Sequence, residues 1–127
     1  MQAANEALIV IDVQNDFRPN GALAVRNGDA IVGSINAMLP YFAARILTQD
    51  WHPIGHTSFA SSYHGKSAYD LSDMPYGTQI LWPDHCVQNT DGAAFHDFLE
   101  TGSADLIIRK GLRPQIDSYS AFFENDK

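Results

Sequence analysis

Three short apolar runs that fail to alternate constrain the fold of this chain most. They occupy residues 7–11, 43–47 and 106–108. A strand with one wet face alternates apolar and polar residues, whereas the first and third runs are continuous and rich in branched side chains. That is the pattern of parallel strands covered on both faces. Between the first two runs, Ile31, Ile35, Met38, Leu39 and Phe42 recur at helical spacing, which predicts an amphipathic helix over 28–42 that Pro40 ends or bends. Strand, helix and strand make a βαβ unit with a right-handed crossover. A second, shorter helix is predicted over 93–99, leaving through Thr101, Gly102 and Ser103. The expected class is α/β with a parallel sheet.

Composition removes several function classes. The 127 residues carry 15 acidic and 8 basic side chains, a net charge of −7, and the basic residues are scattered. Such a surface disfavours nucleic acid and anionic membrane as partners. Hydrophobic residues make up 45% and charged residues 18%, a globular rather than a disordered balance. A single cysteine, Cys86, allows no intrachain disulfide and favours a reducing, cytoplasmic setting. The apolar run at 7–11 is too short for a signal core or a membrane span. Oligomeric state cannot be read from these features.

Residues 53–90 differ from the rest. They hold three of the six prolines, three glycines, Phe59, Trp82 and Tyr63, Tyr69 and Tyr76, with no clear period. A long stretch of this kind in a small domain is usually functional. It reads as an excursion over a site, because a linker would lack the aromatic residues.

Each apolar run leads into a reactive residue type: Asp12, Asp50 and the pair Arg109-Lys110. In an open parallel sheet, ligands bind beyond the carboxyl ends of the strands, so Asp12, Asp50 and Lys110 could meet there. The plainer alternative is three strands returning to water. Asp50 and His52 stand two apart, and on extended backbone such residues point the same way. His56 follows, and His85 comes from the far end of the excursion. One carboxylate and two or three imidazoles match a catalytic site for one divalent ion, with Zn, Mn and Fe all accepting those donors. A surface Asp beside a hydrogen-bonded His gives the same short pattern. Cys86 adjoins His85 but should point away from it, as an inert buried thiol. His64 and His96 are read as surface or capping residues.

The blocks that carry these residues resemble a family. Ala7-Leu8-Ile9-Val10-Ile11-Asp12-Val13-Gln14-Asn15-Asp16-Phe17, continuing to Gly21-Ala22-Leu23-Ala24-Val25, is similar to the opening of the nicotinamidases, also called pyrazinamidases, among the isochorismatase-like cysteine hydrolases. Thr48-Gln49-Asp50-Trp51-His52-Pro53, with Gly55-His56 and Ser58-Phe59-Ala60, resembles their metal segment. Trp82-Pro83-Asp84-His85-Cys86-Val87 resembles the segment that returns a further metal histidine. Arg109-Lys110-Gly111 and Asp117-Ser118-Tyr119-Ser120-Ala121-Phe122 resemble the segment with the catalytic lysine. The Asp-Trp-His and Trp-Pro-x-His-Cys blocks separate nicotinamidases from isochorismatase-type relatives, which generally lack the metal.

The resemblance implies a three-layer α/β/α fold and hydrolysis of nicotinamide to nicotinate and ammonia in NAD salvage. It makes Asp12 the base that takes the proton of a cysteine nucleophile, and Lys110 the neighbouring cation. It makes Asp50, His52 and His85 metal ligands, with His56 a further ligand or a partner of one. Phe17, Trp82 and Tyr119 match positions lining the ring pocket, and the substrate is a flat aromatic amide. The family's nucleophile lies beyond the lysine segment and matches no residue here; Cys86 corresponds to the cysteine beside the metal histidine. Residues 1–127 are therefore expected to be the N-terminal portion of one such domain, with its metal-site excursion at about 51–90 and its C-terminal part absent. A partial sequence and a natural truncation both fit. The chain alone is expected to be inactive and prone to aggregate. A metal-water amidohydrolase and a non-catalytic metal- or nicotinamide-binding fragment are the competing readings.

Overall fold

The structure, a computed structural model, describes residues 3–127. Its frame is a parallel three-stranded sheet of β1 (Ala3–Val10), β2 (Phe42–Asp50) and β5 (Leu106–Lys110), in the order β1-β2-β5. Val10 lies beside Leu47, and Asp50 lies beside Lys110. The apolar runs thus become neighbouring strands in register, and their carboxyl ends share one edge.

The helix between β1 and β2 is shorter than the periodicity predicts. α1 covers Val32–Met38, a 3-10 turn follows at Leu39–Tyr41, and Phe42 already belongs to β2. Pro40 cannot donate the backbone bond that a longer α-helix would need. The buried side chains Val32, Ile35 and Leu39 pack on Val10, Leu47 and Leu99 to form the core.

Covering both faces of the sheet was expected; the carboxyl half of β2, from Leu47 to Asp50, is buried on both sides, while β1 is open on one. Val10 is buried, while its neighbours Ile9 and Ile11 are 42% and 65% exposed on the other side. α1 can cover one face of the strand, and no second α-helix is found among the described residues to cover the other.

The helix predicted over 93–99 does not form. A 3-10 turn at Asp91–Ala93 is followed by an antiparallel bridge between Phe95 and Gln14. Asn15 donates its N–H to the Ala94 carbonyl, and His96 donates to Val13. Pairing with the segment after β1 uses the backbone groups that a local helix would have needed.

The long excursion carries a hairpin that its composition did not reveal, β3 (Leu71–Met74) with β4 (Gly77–Ile80), closed by Pro75 and Tyr76. The excursion returns to the sheet edge through parallel bridges that pair Phe59 with Trp82 and His52 with Val87. No described helix is long and apolar enough to cross a membrane.

Candidate active site and metal centre

The register of β2 against β5 sets Asp50 and Lys110 side by side, and the Lys110 ammonium donates to Oδ1 of Asp50. The same Nζ lies 2.9 Å from Oδ2 of Asp12 and 3.4 Å from the Ser118 carbonyl. An ammonium has three N–H groups, and here it meets three acceptors. Burial opposes the charge on Lys110, but the Asp50 and Asp12 carboxylates outweigh it and hold the amine above its ordinary value. Burial likewise pushes the Asp50 carboxyl up, yet the neighbouring His52 and Lys110 bring it below its usual range. Both groups are therefore charged at neutral pH.

Asp12 follows β1 in the left-handed region, at φ 51°. Its N–H reaches the carbonyl and hydroxyl of Thr48, and the Thr48 hydroxyl donates to Oδ1 at 2.6 Å. Thr48 thus fixes one oxygen of Asp12 while Lys110 takes the other.

The second oxygen of Asp50 turns toward two imidazoles. Nε2 of His52 lies 3.7 Å from Oδ2, and Nε2 of His85 lies 3.8 Å from it. The opposite ring nitrogens decide the tautomers. Nδ1 of His52 is 3.0 Å from the Gly111 carbonyl, and Nδ1 of His85 is 2.7 Å from the Pro83 carbonyl. A carbonyl oxygen only accepts, so each Nδ1 carries the proton and donates. In the neutral rings each Nε2 then offers a lone pair. For His85, burial lowers the pKa and favours that neutral form. Two lone pairs and a carboxylate oxygen facing one another repel unless a cation sits among them. One donor atom from each of Asp50, His52 and His85 falls within 4.8 Å of the others, and all three residues are buried. One carboxylate and two imidazoles with backbone-bonded rear nitrogens fit Zn, Mn or Fe with open positions for water.

His56 is placed differently. Its Nε2 is 2.9 Å from the Arg113 carbonyl and must donate, while Nδ1 accepts from the Ser58 N–H and lies 2.8 Å from its hydroxyl. Both nitrogens are engaged, and the ring packs 4.5 Å from that of His52. His56 also forms a second compact group with His52 and Asp117.

A cavity of about 200 Å³ opens onto this cluster. Asp12, Asp50, His52, His85 and Lys110 line it together with Phe17, Trp82 and Tyr119. The rings of Trp82 and Tyr119 meet edge to face at 6.4 Å. Every residue expected at the site lines this cavity except His56, which lies behind His52. Cys86 does not reach it: the side chain is fully buried, and burial with the surrounding carboxylates pushes its thiol far above the ordinary value.

Two contributors escape sequence reading. The Gln14 amide donates to the Asp50 carbonyl and accepts from the Asp50 N–H, each at 2.8 Å, so a buried side chain extends the sheet where β1 has ended. Gly111 stands at φ 70°, and a Cβ there would lie 2.4 Å from Cε1 of His52. The motif blocks contain both residues, but nothing local marks their roles.

A family model described as the isochorismatase domain matches residues 6–126. The chain belongs to the isochorismatase family. This member is 53% identical to the nicotinamidase of Acinetobacter baylyi over 99% of its own length and 59% of the relative's. It superposes on the structure of an Acinetobacter baumanii nicotinamidase/pyrazinamidase with a TM-score of 0.95, at 50% identity, covering 99% of this chain and 61% of that one. It superposes on the pyrazinamidase of Pyrococcus horikoshii in complex with zinc with a TM-score of 0.70, at 40% identity, covering 91% and 57%. The chain thus spans about three fifths of the proteins it matches. The parallel α/β sheet expected from the apolar runs is the one the isochorismatase fold provides.

Proposed function

We propose that this chain is the portion of a nicotinamidase that binds the metal and holds the substrate ring, within an enzyme converting nicotinamide to nicotinate and ammonia in NAD salvage. The observation that carries this reading is the single cavity on which the Asp12–Lys110 pair, the Asp50–His52–His85 cluster and the aromatic walls converge. The names of the relatives support the substrate class.

In this reading Phe17, Trp82 and Tyr119 confine the flat heterocycle and exclude water from its faces. Asp50, His52 and His85 would hold one Zn, Mn or Fe ion, which would supply Lewis acidity toward the ring nitrogen of the substrate. His56 props the His52 ring from behind. The nucleophile is a cysteine in the part of the enzyme outside these residues. Asp12 takes the thiol proton onto its carboxylate, and the Lys110 charge favours the thiolate. That thiolate attacks the carboxamide carbon, ammonia leaves, and water cleaves the resulting thioester. Residues 1–127 form the N-terminal portion of one domain, and the setting is cytoplasmic.

The test joins this chain to the remaining C-terminal part of the Acinetobacter baylyi nicotinamidase and measures ammonia released from nicotinamide. Turnover is expected in the joined protein and should vanish in its Asp12→Asn and Lys110→Met variants. Robust turnover by the 127-residue chain alone would contradict the reading, as would a folded joined protein with no activity. Sensitivity to a thiol-alkylating reagent separates this mechanism from a metal-bound water acting as nucleophile.

A further inference from the structure

Asp16 has no part in the reading above, yet its carboxylate occupies an unusual place. It stands in the 3-10 turn after β1, at Asn15–Phe17. No basic side chain pairs with it among the described residues. Its oxygens accept from backbone instead: Oδ2 from the Cys86 N–H at 2.7 Å, and Oδ1 from the Ala22 N–H at 3.3 Å.

Cys86 is connected to both histidines. It directly follows His85, and its carbonyl accepts the His52 N–H at 3.0 Å. Its φ is 46°, a left-handed conformation that a side chain with a Cβ adopts only when its surroundings impose it. The charge-assisted bond to Asp16 is a strong local restraint of that kind. The next residue of the same turn, Phe17, packs its ring 5.8 Å from that of His85.

Gly92 supplies an independent sign. Its φ lies outside the left-handed region, so its backbone does not demand glycine. A Cβ at this position would lie 2.2 Å from Oδ2 of Asp16 and 2.5 Å from its Cγ. The side chain missing at Gly92 is the space that the carboxylate fills.

We propose that Asp16 is a positioning residue of the metal centre: its carboxylate fixes the Cys86 peptide, which sets His85 and His52 to face Asp50, and Gly92 keeps the room that this carboxylate needs. The proposal rests on the metal reading above, and the experiment separates the two.

The probe is Co²⁺, with binding followed by calorimetry and by the visible ligand-field spectrum of the 127-residue chain. One ion is expected to bind the unaltered chain. Asp16→Ala should weaken binding about tenfold or more, as loss of a ligand-orienting partner does, and alter the spectrum. Asp16→Asn keeps an oxygen for the Cys86 N–H and should recover most of the affinity. Gly92→Ala should weaken binding in the unaltered background and have no further effect beside Asp16→Ala, because removal of the carboxylate leaves the space open. A purely structural role would lower the urea midpoint of the apo chain and leave the spectrum of the bound ion unchanged. Unaltered affinity and spectrum in folded Asp16→Ala, or independent effects of the two substitutions, would overturn the proposal. If Asp16→Ala does not fold, unchanged binding by Gly92→Ala overturns it. If the unaltered chain binds no Co²⁺, the metal reading falls and the proposal with it.

Discussion

Gly111→Ala should damage this chain more than an otherwise similar substitution at Gly65. The two glycines have nearly the same backbone, φ 70° and φ 74°. Placing a Cβ in that region costs on the order of 1–2 kcal/mol at either position. A Cβ at Gly65 meets nothing within 4 Å, so strain is the whole penalty there. At Gly111 it would lie 2.4 Å from Cε1 and 2.5 Å from Nδ1 of His52, and that buried ring is packed against His56, Phe59 and His85. The ring must turn, which breaks its 3.0 Å bond to the Gly111 carbonyl and leaves buried polar groups unmatched, at roughly 1–3 kcal/mol more. The expected losses are about 3 kcal/mol for Gly111→Ala and about 1–2 kcal/mol for Gly65→Ala. Urea unfolding of the two apo variants measures the difference. Zinc titration should show weakened binding for Gly111→Ala alone. Equal unfolding midpoints and equal zinc affinity in the two variants would refute the reasoning.

Other substitutions probe separate parts of the site. Lys110→Met leaves the buried Asp50 carboxylate, and the partly exposed Asp12 beside it, without their cation and should cost about 3 kcal/mol in denaturant unfolding. Phe59→Ala empties a fully buried position against three imidazoles and should cost about 3–5 kcal/mol by the same assay. Replacing the exposed Ile9 and Ile11 by threonine should change stability by only about 0.5 kcal/mol each while slowing aggregation followed by light scattering. Cys86, fully buried, should resist N-ethylmaleimide in the native chain and react once urea unfolds it; rapid native labelling would count against its placement.

The sheet was readable because its signal is carried by consecutive residues. Branched apolar runs at 7–11 and 106–108 have few ways to be buried other than as parallel strands, and the polar residues ending them fall on one edge as a result. That logic allowed Asp12, Asp50 and Lys110 to meet, and the family resemblance chose this over three strands returning to water. The helix predicted over 93–99 failed because its backbone groups are claimed by Val13, Gln14 and Asn15, partners far away in the chain that no local pattern announces. The same non-locality hid Gln14, which resembles any polar residue after a strand until its amide is seen pairing with Asp50. His56 shows the limit of motif reading: its block suggests a further ligand or a partner of one, and no local pattern foretells the contacts of its two nitrogens with Ser58 and Arg113.

Asp50 divides its two oxygens between different tasks, one toward the Lys110 ammonium and one toward the imidazoles. In the proposed enzyme, the environment of a bound ion and the proton affinity of the amine would therefore change together. Directed evolution toward another metal should meet this linkage first: a substitution at this carboxylate that suits a new ion also alters how readily the lysine gives up its charge, so variants selected for metal preference alone should show displaced pH–rate profiles.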